Sequence, residues 1–249
     1  MTDAMTGAIR MLQLYTGLDD DGLASVYSVR DRSVPWLRVN MVSTADGAAT
    51  RDGLSGGLGT AADRRVFSVL RRLCDVIVVA AGTVRAEGYS GPLVDEAGRA
   101  WRRAEGLSEH PRFAVVSRSL DLDPAVLAAS PERPLVLTCE DAPADRREAL
   151  AAVADVIDCG GASVDTRLIK ERLADRGMPQ QHCEGGPSLL GALAADGTLD
   201  ELCLTVSPTL EGGAASRIAV GAGAASVPLR LAHVLAADDG TLLLRYTRA

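Results

Sequence analysis

Lysine is almost missing from the 249 residues: Lys170 is the only one, so the positive charge is carried by arginine. With 33 acidic against 26 basic residues the formal net charge is −7. A general nucleic-acid surface needs clustered Lys and Arg to neutralise phosphates, and this balance argues against one. Arginine suits bidentate contacts to phosphate or carboxylate, although a coding bias towards arginine would leave the same composition. No stretch approaches the ~18 consecutive apolar residues of a membrane span, and the N-terminus lacks the basic-then-apolar order of a secretory signal. A soluble cytoplasmic protein with no membrane or nucleic-acid partner is expected.

Several motifs are also missing. No Gly-Lys-Ser/Thr occurs, so there is no P-loop, and Gly221-Ala222-Gly223-Ala224-Ala225-Ser226 fails the G-x-G-x-x-G fingerprint at its last place. No C-x-x-C or H-x-x-x-H accompanies His182-Cys183-Glu184, and adjacent strand residues point to opposite faces, so no metal site is expected there. The five cysteines (Cys74, Cys139, Cys159, Cys183 and Cys203) are dispersed and mostly inside apolar runs, as the buried thiols of a cytosolic protein are.

What is present is a core and an alternation. Apolar residues make up 47% of the chain, enough for one large α/β domain. Residues 1–34 hold no long periodic pattern and read as an N-terminal arm lying on a domain of residues 35–249. Strand signals fall at 36–42, 76–81, 113–116, 135–138, 156–159 and 181–183. The run Val76 to Ala81 is uninterrupted, as in a strand buried on both faces of a mainly parallel sheet. Helical patterns at 146–153, 164–176 and 187–195 separate the strands in the manner of βαβ units. Another helix begins after Thr60, whose pairing with Asp63 resembles a capping box with Asp in place of Glu. Residues 95–109 form a polar, Arg-rich helix or insertion. Residues 201–206 read as extended, and 229–237 joins 241–247 across Asp238-Asp239-Gly240 as a hairpin, so the sheet ends antiparallel.

Glu184-Gly185-Gly186-Pro187-Ser188-Leu189-Leu190-Gly191 follows a strand and opens a helix. Its glycines let a ligand approach the backbone, and the free N–H groups with the helix dipole favour an anion such as a pyrophosphate. An ordinary tight turn would read the same. A second strand end, Ala81 to Tyr89, offers the Thr83 hydroxyl, and a third, Val116-Ser117-Arg118-Ser119, places Arg118 where a 2′-phosphate of NADP could be held, or where it is simply solvated. Gly53-Leu54-Ser55-Gly56-Gly57 matches the G-x-S-x-G of a hydrolase elbow with His233 downstream, but no strand precedes Ser55 and no helix directly follows it.

Val42-Ser43-Thr44-Ala45-Asp46-Gly47, Ala81-Gly82-Thr83-Val84 and Glu184-Gly185-Gly186-Pro187, followed by Asp200-Glu201-Leu202 and Pro208, together resemble the ordered motifs of the riboflavin-biosynthesis pyrimidine reductase family from about Trp36 onward. The resemblance implies a dihydrofolate-reductase-like three-layer α/β/α fold, with a mainly parallel sheet and an antiparallel C-terminal hairpin, usually a homodimer. It also implies NADPH as cofactor and hydride transfer to C1′ of 5-amino-6-(5-phosphoribosylamino)uracil. By the same resemblance cofactor contacts fall on Val42, Thr83, Glu87, Arg118 and Gly186, Pro187, Ser188, Leu189, Leu190 and Gly191. Substrate contacts fall on Ser55, Arg71 and Glu184, and Asp46 and Glu184 are the candidate catalytic carboxylates, with bound water as a third proton source. Two departures stand out. The family's Asp-Asp-Pro and following phosphate-holding Arg are replaced by Glu87-Gly88-Tyr89-Ser90-Gly91-Pro92-Leu93 with no Arg close behind, and the zinc deaminase signature of the bifunctional members is missing. The first keeps open a pterin such as dihydrofolate as substrate, and a non-catalytic NADPH-binding module remains a third reading.

Overall fold

A computed structural model describes residues 17–221 and 226–249. The elements run α1 (Asp20–Tyr27), β1 (Trp36–Thr44), α2 (Ala61–Leu73), β2 (Val76–Ala80), α3 (Ala81–Glu87), α4 (Glu96–Ala104), β3 (Arg112–Val116), α5 (Pro124–Ala128) and β4 (Leu135–Thr138). They continue with α6 (Ala144–Ala151), β5 (Asp155–Asp158), α7 (Thr166–Ala174), β6 (Gln180–Cys183), α8 (Pro187–Ala195), β7 (Glu201–Ser207), β8 (Leu229–Ala236) and β9 (Leu242–Arg248). Among the described residues the strands form one sheet in the order β5-β4-β3-β2-β6-β1-β7-β9-β8. Pairings from β5 through β7 are parallel, and only β9, against both β7 and β8, is antiparallel. This is the mainly parallel architecture with an antiparallel C-terminal hairpin that the alternation of signals predicts, in the three layers that the resemblance implies.

The apolar run at β2 shows why. Val76 and Val78 pack with Ile169 and Leu173 of α7 and Leu189, Leu190 and Leu193 of α8 on one face. Ile77 and Val79 face Val84, Leu127 and Leu150 of α3, α5 and α6 on the other. A strand covered on both sides has no solvent face on which polar residues could alternate.

Three elements differ from expectation. The turn expected after Ala81 is helical at once, as α3, closed by Gly88 in the left-handed conformation. The five-residue α5 begins at Pro124 behind an Asp123 cap. Within the N-terminal arm, Asp19 accepts the Gly22 N–H at 2.8 Å and starts α1, whose Leu23, Ala24 and Tyr27 bury against α2 and the β7/β9/β8 end of the sheet. Arg38 and Arg245 donate to the carbonyls of Tyr27 and Val26 at the helix's end, and both also bind Glu201. Residues 1–16 of the arm, and 222–225 of the glycine-rich run at 221–226, lie outside the described residues.

The Arg-rich segment earns its place through Arg102 of α4, which is 1% exposed. Its guanidinium donates to the carbonyls of Arg72 and Cys74 at 2.8 and 2.6 Å. It thereby satisfies orphan acceptors at the C-terminal end of α2 and fixes that helix over the sheet.

Candidate active site

Carboxyl ends of parallel strands are where open α/β sheets collect ligands, and chain order here reverses around β6 and β1. A cleft of about 780 Å³ opens at that place, lined from β1, β2, α2, α3, the 49–59 loop and the start of α8. A second hollow of about 590 Å³ at the ends of β2 and β3 shares Ala80 and Gly82 with it.

The glycine turn forms one wall. Gly186 is the N-cap of α8 and Pro187 its first residue, with no side chain capping the helix. The Ser188 and Leu189 N–H groups have no partner among the described residues and, with the helix dipole, favour an anion. A Cβ on residue 186 would lie 2.7 Å from Thr83 Oγ1, so the close approach of the two walls requires glycine. The Gly185-Gly186 peptide is cis.

The opposite wall is a buried charged cluster. Arg71 of α2 grips Glu184 with two parallel hydrogen bonds, Nε to Oε1 at 2.6 Å and Nη2 to Oε2 at 2.7 Å. Its Nη1 donates to the Leu93 carbonyl at 2.9 Å. The Tyr89 hydroxyl donates to Glu184 Oε2 at 2.7 Å, and the Phe67 ring lies 4.3 Å beneath the guanidinium. Burial opposes the Arg71 charge, but Glu184 outweighs it and raises the pKa, while burial and then Glu184 push the Tyr89 phenol up. His182 stands behind the cluster, 3.5 Å from Glu184. Burial holds it down at about 4, so it is neutral near pH 7.

Most of the expected site residues meet in this cleft. Val42, Thr83, Glu87, Gly186, Pro187, Ser188 and Leu189 line it, as do Ser55, Arg71 and Glu184. Glu87 Oε1 accepts both the backbone N–H and the hydroxyl of Ser55, at 2.7 and 2.8 Å, which closes the 49–59 loop onto α3. That hydroxyl has a carboxylate rather than a histidine as partner, and His233 meets the Tyr27 ring edge-on from β8. Arg118 lines the adjoining hollow and has no carboxylate partner among the described residues.

Three expected residues stand elsewhere. Leu190 points into the core between α8 and the sheet. Gly191 lets the 216–221 segment cross α8, since a Cβ there would fall 2.0 Å from the Val220 carbonyl oxygen. Asp46 is exposed, outside the cleft lining, and accepts from the Thr44 hydroxyl and from the Glu211 and Gly212 N–H groups, the latter two at 3.3 and 2.7 Å. Those bonds, the Thr44 hydroxyl foremost, hold its carboxyl at about 2. It is an ionised anchor for the loop after β7.

Sequence reasoning assigned no role in the site to Asn40, Asp63, Arg64, Phe67 or Tyr89, all of which line the cleft. Phe67 and Arg71 share a face of α2 by their four-residue spacing, which is a usable signal.

Residues 35–243 match the family model described as the RibD C-terminal domain. A 2,5-diamino-6-ribosylamino-4(3H)-pyrimidinone 5′-phosphate reductase of Methanothermobacter thermautotrophicus is 30% identical over 223 residues, covering 86% of this chain and 98% of the relative. The protein of the same name from Archaeoglobus fulgidus is 27% identical over 181 residues, covering 72% and 83%. Among solved structures, a pyrimidine reductase-like protein from Corynebacterium diphtheriae is similar with a TM-score of 0.80 and 25% identity, covering 91% of this chain and 98% of that one.

Proposed function

The chain belongs to the RibD C-terminal domain family, and from that membership we propose that it is an NADPH-dependent reductase of a 5′-phosphorylated ribosylaminopyrimidine in riboflavin biosynthesis. The ring is the aminouracil of the family resemblance or the diaminopyrimidinone for which the curated relatives are named. The observation that carries the reading is one continuous cleft joining an uncapped helix N-terminus to a buried Arg71–Glu184–Tyr89 wall.

The residues fit a dinucleotide. Gly186 lets the Thr83 hydroxyl close on the turn, the Ser188 and Leu189 N–H groups would receive the charge of a pyrophosphate, and Arg118 in the adjoining hollow would hold a 2′-phosphate. Bound NADPH supplies the hydride that reduces C1′ of the open ribose to the ribityl carbon. The protein's part is positioning and exclusion of water. Arg71 and Glu184 are locked in each other's grip and shape the substrate wall rather than move through the reaction. Hydride addition leaves a proton to be delivered to the nitrogen attached to C1′. Asp46 is ionised and outside the cleft, and both Glu184 oxygens already accept from donors. Bound water is therefore the donor in this reading.

The family's phosphate-holding Arg is absent, and Arg64 takes its place in this proposal. It lines the cleft, donates only to the Gly59 carbonyl at 2.8 Å, and has no carboxylate partner among the described residues. We further propose a cytoplasmic homodimer, supported by the outer edge of β8, which pairs with no further strand among the described residues and carries Leu231 exposed. Among the described residues no helix is long and apolar enough to cross a membrane.

The test is the loss of NADPH absorbance with purified protein, offering the phosphorylated aminouracil, the phosphorylated diaminopyrimidinone and dihydrofolate in parallel, with NADH as control. Oxidation dependent on either phosphorylated pyrimidine supports the reading. Turnover of dihydrofolate alone, or of none despite tight NADPH binding, overturns it.

A further inference from the structure

Asp63 is in the place of a capping-box acid, and only half of that box forms. The Thr60 hydroxyl accepts the Asp63 N–H at 3.3 Å, but the Asp63 carboxylate does not return to the Thr60 N–H. It turns to the sheet, where Oδ1 accepts the Thr205 hydroxyl of β7 at 2.5 Å. Oδ2 has no hydrogen-bond donor, and the carboxylate has no ion pair, among the described residues. The group lines the cleft, and burial raises its pKa. A Cβ on residue 59 would come within 2.8 Å of Oδ2, so glycine there leaves that oxygen unobstructed. Asn40, buried on β1, lines the same cleft and makes no side-chain hydrogen bond among the described residues.

A half-buried carboxylate with one free oxygen and no cation within ion-pair distance, the Arg64 charge acting on it only from farther off, is costly unless a ligand supplies donors. The α2 dipole can account for an acid in the first turn, but not for one that leaves the cap, takes a hydroxyl from the sheet and faces the cleft. The donor set that matches a carboxylate in its own plane is a pair of parallel N–H groups. A 2-aminopyrimidin-4-one carries such a pair in its exocyclic amine and adjacent ring N–H. A uracil presents a carbonyl oxygen at the same position, which the carboxylate would repel.

Resting on the proposed pyrimidine reduction, we infer that Asp63 reads position 2 of the ring and selects the 2-amino pyrimidinone over the corresponding uracil. Thr205 fixes the carboxylate's orientation for that contact.

The experiment compares wild type, Asp63→Asn and Asp63→Ser on both phosphorylated ribosylaminopyrimidines, measuring kcat and KM separately. Thermal melting and NADPH binding run alongside. Wild type should prefer the 2-amino substrate. Either variant should lose about 10- to 100-fold in kcat/KM on it, mainly through KM, with the uracil substrate unchanged or improved and NADPH binding intact. An equal loss on both substrates, or an unchanged preference, overturns the inference. Calorimetric binding of 2,5,6-triaminopyrimidin-4-one and 5,6-diaminouracil separates this inference from the reaction. If wild type reduces neither substrate, the proposed function falls, and Asp63 is still judged by whether tighter binding of the triamino ring disappears in the variants.

Discussion

Acid destabilises this protein through His182. Its ring is 1% exposed on β6, with the Phe67 ring edge-on at 6.3 Å and neither nitrogen hydrogen-bonded. Burial is the largest influence on it. The Arg38 and Arg71 charges act in the same direction, Glu184 and Glu201 oppose, and the result is a fall from 6.5 to about 4. Between those values only the unfolded chain binds the proton. Stability from this residue is therefore whole above about pH 6.5 and is lost progressively as the pH falls towards 4. The gap, 6.5 minus about 4, at about 1.36 kcal/mol per pH unit comes to about 3 kcal/mol. That is a large share of the ~5–15 kcal/mol of a typical domain. Urea unfolding free energies from about pH 7.5 to about pH 4.5, taken for wild type and His182→Gln, isolate the effect, because His233 and the carboxylates titrate in both. The wild type should lose about 2–3 kcal/mol more than the variant over that interval. Parallel curves would refute a buried, neutral His182.

The other predictions bear on the cleft. Arg118→Ala should raise the KM for NADPH about 10- to 100-fold and leave that for NADH unchanged, read from initial rates with each cofactor. Gly186→Ala should weaken NADPH binding in a fluorescence titration, because its Cβ would stand 2.7 Å from Thr83 Oγ1. Arg64→Ala should raise the KM of the phosphorylated substrate about tenfold or more without changing that of its dephosphorylated counterpart, and equal changes would remove Arg64 from the phosphate. Arg71→Met leaves the Glu184 carboxylate, whose side chain is 1% exposed, without its cation. It should cost about 3–5 kcal/mol in chemical denaturation, and a loss below about 1 kcal/mol would mean that the pair is not buried in solution.

Where burial is on both faces, the chain declares itself: β2 and β4 are apolar runs, and their ends fall within a residue of expectation. Short helices do not. α1 and α5 have 8 and 5 residues, too few turns for a periodic face, and their caps Asp19 and Asp123 read equally well as loop residues. Buried charge is harder still. Arg38 and Glu201 lie 163 residues apart and become neighbours only because β7 is laid beside β1. Arg102 is buried by carbonyls, which leave no mark on sequence.

The glycine turn and the Arg71–Glu184 wall carry motifs that sequence can show, while Asp46 and Asp63 carry nothing that sorts one from the other. Both acids sit next to backbone turns, where a carboxylate ordinarily accepts local N–H groups. Asp46 takes the Thr44 hydroxyl locally and the Glu211 and Gly212 N–H groups from the loop after β7, and is an anchor. Asp63 has the same local option and does not take it, because Thr205 on a strand 142 residues away offers a donor on the cleft side. Both acids make tertiary hydrogen bonds, and what separates them is that donors occupy both Asp46 oxygens, whereas Asp63 Oδ2 is left free on the cleft side among the described residues. The Thr205 hydroxyl, which holds Asp63 Oδ1, orients the carboxylate with which the cleft would tell an amino group from a carbonyl. Thr205→Val should then blunt the discrimination while leaving the carboxylate in place, and Thr205→Ser should keep it.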